Sequence, residues 1–154
     1  MSHQRVVIGY ETLDDIRSHG VAEYPDEACG GLLGGSGDAA VIRVAEAVPL
    51  ANAREDERER RYLIGPDDVL SLEKRAEASG LRVIGFYHSH PDDDAAPSEF
   101  DREHAWPGYA YLIVSVEDAQ ASDVQAWQLA DDRSRFISLA LVPKEGVARR
   151  DTET

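Results

Sequence analysis

Phe86-Tyr87-His88-Ser89-His90-Pro91 is the most informative segment of this 154-residue chain, and a loop of residues 92–97 separates it from Ser98-Glu99-Phe100-Asp101. Residues 81–87 are mostly apolar and predict a strand that carries His88 and His90 at its end. Side chains two apart on a strand point to the same face, so the two imidazoles converge. Pro91 cannot donate to a sheet ladder and therefore ends the strand.

The loop after this strand can fold back and bring Asp101, at the start of the next helix, to the two imidazoles. Two histidines and one aspartate, with the fourth position left to water, form a catalytic zinc site. Nitrogen and oxygen ligands in an open tetrahedron favour Zn²⁺ over Mg²⁺ or Ca²⁺.

Each part of this proposed metal site also has a simpler interpretation. A lone His-x-His is often incidental, Ser98-x-x-Asp101 is typical of a helix capping box, and the acidic residues 92–94 are typical of a solvated loop. The agreement of all the spacings favours one metal site.

Composition limits the class of protein. The length corresponds to one ordinary domain, and 42% hydrophobic residues is too many for a disordered chain. No apolar run is long enough for a membrane span, and residues 1–10 do not resemble a signal peptide. The single cysteine, Cys29, excludes an intrachain disulfide and a Cys-rich zinc site. We therefore expect a soluble cytoplasmic protein with one domain over residues 1–143 and a polar, flexible C-terminal tail over residues 144–154.

The charge excludes one class of partner. With 16 Lys+Arg against 30 Asp+Glu, the net charge is −14. Binding to nucleic acid depends on basic side chains that neutralise phosphates, and the Arg-rich stretch 58–61 is interleaved with acidic residues. We expect no nucleic-acid partner and no membrane partner.

The residue pattern predicts an α/β fold: a single domain with a central, mostly antiparallel or mixed β-sheet flanked by two to three helices. Thr12 and Asp15 resemble a capping box that opens the first helix, which ends within residues 20–25, and Pro66 opens a helix that Gly80 closes. A short helix is expected over 98–105. The predicted strands cover 5–8, 28–34, 40–48, 61–64, 81–87, 109–116, 124–129 and 136–142. The glycines near residues 30–35 lack a phosphate-loop pattern and indicate close packing.

Two separated motifs together resemble a known family. His-Ser-His, seven residues, Ser, two residues and Asp is similar to the signature of the JAMM (MPN+) zinc metalloproteases, and Pro25-Asp26-Glu27-Ala28-Cys29-Gly30 is similar to the segment that carries the family's upstream glutamate. The resemblance covers most of the chain and weakens after about Trp127. It implies the MPN fold, whose architecture is similar to that of cytidine deaminases. It also implies zinc-dependent hydrolysis of peptide or isopeptide bonds.

The resemblance assigns roles by position. His88, His90 and Asp101 match the zinc ligands, Glu27 matches the general acid/base, and Ser98 matches the residue that stabilises the oxyanion. From its local sequence alone, Glu27 is more typical of a surface or capping acid. His104, three residues after Asp101, is an alternative ligand or outer-shell group that the family pattern does not require.

Short prokaryotic members of the family resemble this chain most. The implied substrate is a ubiquitin-like or sulfur-carrier protein, cleaved after its C-terminal Gly-Gly by water activated at the metal. The leaving group, either an amino acid such as cysteine or a lysine of another protein, stays open, as does the oligomeric state.

Two rival functions come from other classes. A non-catalytic MPN scaffold or interaction domain is the main alternative, although such members usually lack some of the ligands kept here. A zinc nucleobase deaminase is excluded, because its signature needs His-x-Glu and Pro-Cys-x-x-Cys.

Overall fold

The computed structural model describes residues 3–38 and 40–145, and within them seven strands and three helices form. In chain order, these are β1 (Arg5–Gly9), α1 (Tyr10–Glu23), β2 (Cys29–Asp38), β3 (Val41–Leu50), α2 (Pro66–Ala78), β4 (Arg82–Pro91), α3 (Glu99–His104), β5 (Ala110–Glu117), β6 (Gln120–Leu129) and β7 (Phe136–Lys144). The number of helices and the mixture of strands and helices agree with the predicted α/β class.

The sheet is mixed and closes on itself in the order β1-β3-β2-β4-β5-β6-β7. β1 is parallel to β3 and to β7, β4 is parallel to β5, and the other neighbours are antiparallel. The prediction of an antiparallel or mixed sheet is confirmed, and its closure into a barrel is a feature that the sequence analysis did not specify. Pairing of β1 with β7, which aligns Arg5 with Ala140, turns the sheet into a barrel.

Apolar side chains on both faces of the strands form two cores. The first surrounds Leu13 and Ile16 of α1, which packs against β1 and against β3 to β7. The second lies under Leu72 and Ala76 of α2, which contacts β2 and β4. A β-carbon at Gly31 would lie 2.4 Å from Leu72 Cδ1, so this glycine is needed for the close approach of α2, as the sequence predicted.

Two local predictions were wrong. Helix α1 begins at Tyr10 with Gly9 as its N-cap, and Thr12 is buried inside the helix rather than capping it. Residues 61–64 form no strand, because their backbone bonds to the neighbouring loop instead. The Leu63 N–H donates to Asn52 Oδ1 at 3.1 Å, and the Arg61 carbonyl accepts from Asn52 Nδ2 at 2.9 Å. Residues 51–65 are therefore one continuous connection between β3 and α2, here called the 51–65 loop.

The C-terminal prediction is covered only in part. Strand β7 continues to Lys144, which pairs with Gly9, and residues 146–154 of the predicted tail lie outside the described residues. Among the described residues, no helix combines the length and apolar character that a membrane crossing requires. The cytoplasmic location stays a prediction.

Candidate metal centre

Strand β4 carries both histidines into the interior on one face. His88 and His90 are buried, with 1% and 5% of their surface exposed. Phe86 precedes them on the same face and belongs to the core under α2, whereas Tyr87 faces the core around α1. The alternation of a strand thus places the two imidazoles side by side, 4.9 Å apart between ring centroids.

Helix α3 brings Asp101 to these rings through its N-terminal cap. Ser98 Oγ accepts a hydrogen bond from the Asp101 N–H at 3.0 Å, and Asp101 Oδ2 accepts one from the Ser98 N–H at 2.9 Å. These reciprocal bonds form a capping box, as the simpler interpretation of Ser98-x-x-Asp101 predicted. The same Oδ2 atom also faces both histidines, so the cap fixes the position of the carboxylate.

Three ligand-type atoms converge on one point. His88 Nε2 lies 3.1 Å from His90 Nε2 and 3.2 Å from Asp101 Oδ2, and His90 Nε2 lies 3.0 Å from Asp101 Oδ2. Ligands of a tetrahedral zinc ion, at roughly 2.0–2.1 Å from the metal, are about 3.3–3.4 Å from each other. The observed triangle is close to one face of such a tetrahedron, and these three residues form a group that could hold a metal ion.

The electrostatics of the site favour a cation among these atoms. Burial alone would raise the pKa of Asp101, but His88 and His90 outweigh it and hold that pKa well below its ordinary value. Burial also opposes a charge on His90, yet the hydrogen bond and the charge of Asp101 raise the pKa of His90 to about 9. Burial lowers the pKa of His88, against the opposing charge of Asp101. Asp101 therefore stabilises a positive charge on His90, whereas burial outweighs its effect at His88.

The surroundings fix the orientation of the His90 ring. Its Nδ1 lies 2.8 Å from the Asp94 carbonyl oxygen, so an Nδ1–H donates there and leaves the Nε2 lone pair for a metal. The loop that carries this carbonyl is held by Trp127, whose Nε1–H donates to the Ala95 carbonyl at 2.9 Å, and by the Ser115 hydroxyl, which donates to the Asp93 carbonyl.

The His88 ring is held differently. Its Nδ1 is buried and has no hydrogen-bond partner among the described residues. Instead, Tyr62 of the 51–65 loop stacks on the ring, with centroids 4.5 Å apart and planes at 24°. Ring stacking thus replaces the outer hydrogen bond that commonly orients a metal-binding histidine.

Glu27 lies in the same region, in the turn between α1 and β2. Its side chain lines a cavity of about 320 Å³ together with His90 and Ser98. It is only 2% exposed, and its Oε1 has no hydrogen-bond partner among the described residues. Burial raises the pKa of Glu27 to about 8, and His90 opposes this shift only in part. A carboxyl group in such surroundings accepts and releases a proton near neutral pH.

Ser89 explains why Glu27 lies beside the histidines. The Ala28 N–H donates to Ser89 Oγ at 2.7 Å, and the Ser89 N–H donates to the Ala28 carbonyl at 3.0 Å. These two bonds continue the ladder in which Cys29 pairs with His88. The sequence analysis missed this role of Ser89, because its partner lies 61 positions away in the chain.

The other residues considered from the sequence lie outside this arrangement. His104 is exposed, and its ring stacks on Phe100, 4.0 Å away between centroids. Cys29 is buried, and its sulfur faces the backbone carbonyls of Leu50 and Ala51. The predicted residues that the fold brings together are therefore the two histidines, the aspartate, the glutamate and Ser98.

The family of the chain follows from comparison with known proteins. Residues 10–130 match the family described as prokaryotic homologs of the JAB domain. The chain belongs to this family, as the two sequence motifs indicated.

Its relatives include proteins that are named for the cleavage of protein conjugates or peptides. The chain is 34% identical over 146 residues to the desampylase of Haloferax volcanii, covering 92% of this chain and 99% of the relative. It is 27% identical over 127 residues to the CysO-cysteine peptidase of Mycobacterium tuberculosis, covering 82% and 84%. It is 31% identical over 109 residues to a probable TtuB-protein conjugate cleaving protease of Thermus thermophilus, covering 71% and 69%.

Solved structures share the fold. A solution structure from Salinibacter ruber matches with a TM-score of 0.71 and 42% identity, covering 92% of this chain and 93% of the other. A JAB1/MPN domain protein from Archaeoglobus fulgidus matches with a TM-score of 0.52 and 20% identity, covering 92% of this chain and all of the other. The latter likeness concerns the fold alone.

Proposed function

We propose that this protein is a zinc-dependent peptidase or isopeptidase that hydrolyses the bond after the C-terminal Gly-Gly of a ubiquitin-like or sulfur-carrier protein. The observation that carries the proposal is the convergence of His88 Nε2, His90 Nε2 and Asp101 Oδ2 within 3.0–3.2 Å of one another. Two imidazoles and one carboxylate suit zinc and leave one coordination position for reaction.

His88, His90 and Asp101 would hold zinc, which would lower the pKa of a water molecule to about 7 and polarise the scissile carbonyl group. The protein's own groups do the rest. Glu27 accepts the proton of the attacking water and then delivers it to the leaving amine, since its buried carboxyl group lines the same cavity as His90 and Ser98. Positioned proton transfer of this kind contributes about 10²–10⁴-fold to the rate.

Ser98 supplies a hydrogen-bond donor for the carbonyl oxygen as that oxygen gains negative charge. Its Oγ accepts from the Asp101 N–H, and the hydroxyl proton remains available for donation into the shared cavity. Donors placed in advance at a developing oxyanion stabilise the transition state by about 2.7–4 kcal/mol each. The role in the capping box and the role in catalysis are therefore compatible.

The substrate class comes from the relatives. The names of two of them specify a CysO-cysteine peptidase and a protease that cleaves TtuB-protein conjugates. We infer a substrate of the same kind, a small carrier or modifier protein that ends in Gly-Gly and is joined to an amine. The first name corresponds to an amino acid as the leaving group, and the second corresponds to an amine of another protein.

The test uses zinc-loaded protein and two conjugates of a ubiquitin-like protein ending in Gly-Gly. One carries a C-terminal cysteine, and the other is joined to the lysine ε-amine of a peptide. Mass spectrometry should show release of the leaving group by the wild type, release slowed about 10²–10⁴-fold in Glu27→Gln, and none in His88→Ala. Unchanged masses for both conjugates with the zinc-loaded wild type would contradict the proposal and favour the scaffold alternative.

The scaffold alternative has less support. A domain that only binds partners has no need for three buried ligand atoms in one triangle, nor for a buried carboxyl group whose Oε1 has no hydrogen-bond partner among the described residues. Such groups are costly to bury, and they are typical of functional sites.

A further inference from the structure

We propose that Asn52 is a positioning residue: its side-chain amide ties the 51–65 loop to the backbone of Glu27 and thereby holds the Glu27 carboxyl group beside the metal centre. This inference rests on the proposed function, in which Glu27 transfers the proton. Asn52 touches neither the ligand atoms nor the cavity and acts only through Glu27 and the loop.

The Asn52 amide is buried and uses all of its hydrogen-bonding capacity. Only 6% of the residue is exposed. Its Nδ2 donates to the Glu27 carbonyl at 3.2 Å and to the Arg61 carbonyl at 2.9 Å. Its Oδ1 accepts from the Arg54 N–H at 3.0 Å and from the Leu63 N–H at 3.1 Å. One side chain thus closes the loop and joins it to Glu27.

Glu27 depends on these bonds because it lies in no helix or strand. Its own N–H donates to the Arg58 carbonyl at 2.6 Å, within the same loop, and its carbonyl accepts from Asn52. Its Oε1 has no partner among the described residues, so hydrogen bonds do not anchor that side of the carboxyl group. The position of the carboxyl group is therefore set by the backbone, and the loop is hydrogen-bonded to both the N–H and the carbonyl group of Glu27.

The backbone of the metal ligands does not depend on the loop in this way, because the ligands lie on β4 and α3. The loop contacts this region through Tyr62, which stacks on His88, and through the guanidinium groups of Arg54 and Arg61, which lie 5.6 Å and 4.4 Å from the centroid of the Phe100 ring. Loosening the loop should therefore displace Glu27 while the ligand triangle persists. This difference makes the proposal testable.

The kinetic test combines Asn52→Ala with Glu27→Gln. We expect Asn52→Ala to keep one zinc per chain and to lower kcat about 10–100-fold, part of the roughly 10²–10⁴-fold that a positioned proton carrier contributes. KM should stay within about threefold. In the Glu27→Gln background the same substitution should change kcat by less than about threefold, because its effect passes through Glu27. An equal loss in both backgrounds would overturn the proposal.

The matched control is Gln128→Ala. Gln128 is also a buried amide, 2% exposed, and it is hydrogen-bonded to His3, away from the site. Its substitution should lower the free energy of unfolding without changing the dependence of kcat on Glu27. A kcat loss in Gln128→Ala equal to that in Asn52→Ala would show that general destabilisation explains both, and would overturn the proposal.

Hydrogen exchange gives a readout that needs no substrate. In Asn52→Ala the Glu27 amide should exchange at least about tenfold faster than in Gln128→Ala. The carboxylate of Asn52→Asp can still accept from the Arg54 and Leu63 amides, but it cannot donate to the Glu27 carbonyl. Exchange of the Glu27 amide should therefore be faster than in the wild type, although the loop keeps more of its hydrogen bonds than in Asn52→Ala. Wild-type protection of the Glu27 amide in both Asn52 variants would refute the proposal. If the wild type cleaves no conjugate, the proposed function fails, and this exchange measurement still decides whether Asn52 holds Glu27.

Discussion

Glu27→Gln should lower activity about 10²–10⁴-fold and at the same time stabilise the metal-free protein at high pH. Burial raises the pKa of Glu27 from its ordinary value of 4.5 to about 8 in the folded protein. The folded state therefore binds a proton that the unfolded state releases between these pH values, and stability falls as the pH rises through this window. The linkage relation gives a destabilisation on the order of 1 kcal/mol at pH 5 and 4 kcal/mol at pH 8. A neutral, isosteric glutamine carries no such penalty.

The assay is urea unfolding of EDTA-treated protein at pH 5 and pH 8. The stability difference between Glu27→Gln and the wild type should grow by about 3 kcal/mol between the two pH values. Glu59→Gln is the matched control, because Glu59 lines the same cavity but is exposed. The stability difference between Glu59→Gln and the wild type should change far less between pH 5 and pH 8. A stability difference for Glu27→Gln that is the same at both pH values would refute the argument that this carboxyl group is buried and protonated.

Three further substitutions, one of them with a control substitution, test the site and its packing. Asp101→Asn should lower zinc affinity by more than the roughly 10–100-fold typical of outer-shell partners. The amide oxygen of the new asparagine should still cap α3, so circular dichroism should show an unchanged helix content. Zinc titration measures the affinity, and stoichiometric tight binding of zinc would contradict the ligand set. Trp127→Phe removes the donor to the Ala95 carbonyl and should weaken zinc binding about tenfold, and unchanged affinity would exclude this support for the His90 loop. Gly30→Ala places a β-carbon 2.2 Å from the Tyr87 ring and should cost about 1–3 kcal/mol in urea unfolding, whereas Gly35→Ala, which meets nothing within 4 Å, should be nearly neutral.

Much of the site was predictable because its signals are local. The histidine pair shows the period of a strand, Pro91 marks the strand end, and Ser98 and Asp101 have the spacing of a helix cap. Each follows from a few neighbouring residues. Glu27 needed the family resemblance, since its local sequence is more typical of a surface or capping acid.

The remainder depended on contacts between distant parts of the chain. Closure of the barrel pairs Arg5 with Ala140, and no local pattern specifies such a pairing. The strand predicted over 61–64 is absent because Asn52 takes the hydrogen bonds that a sheet neighbour would have supplied. The roles of Asn52 and Ser89 in holding the Glu27 segment were missed for the same reason.

X-ray absorption at the zinc edge of the zinc-loaded protein tests the central claim most directly, because it counts the ligands without a substrate. The account predicts one zinc per chain, bound by two imidazoles and by oxygen ligands at about 2.0–2.1 Å, and loss of the imidazole signal in His88→Ala. A zinc shell containing the Cys29 sulfur, a shell without two imidazoles, or failure to retain zinc would contradict it.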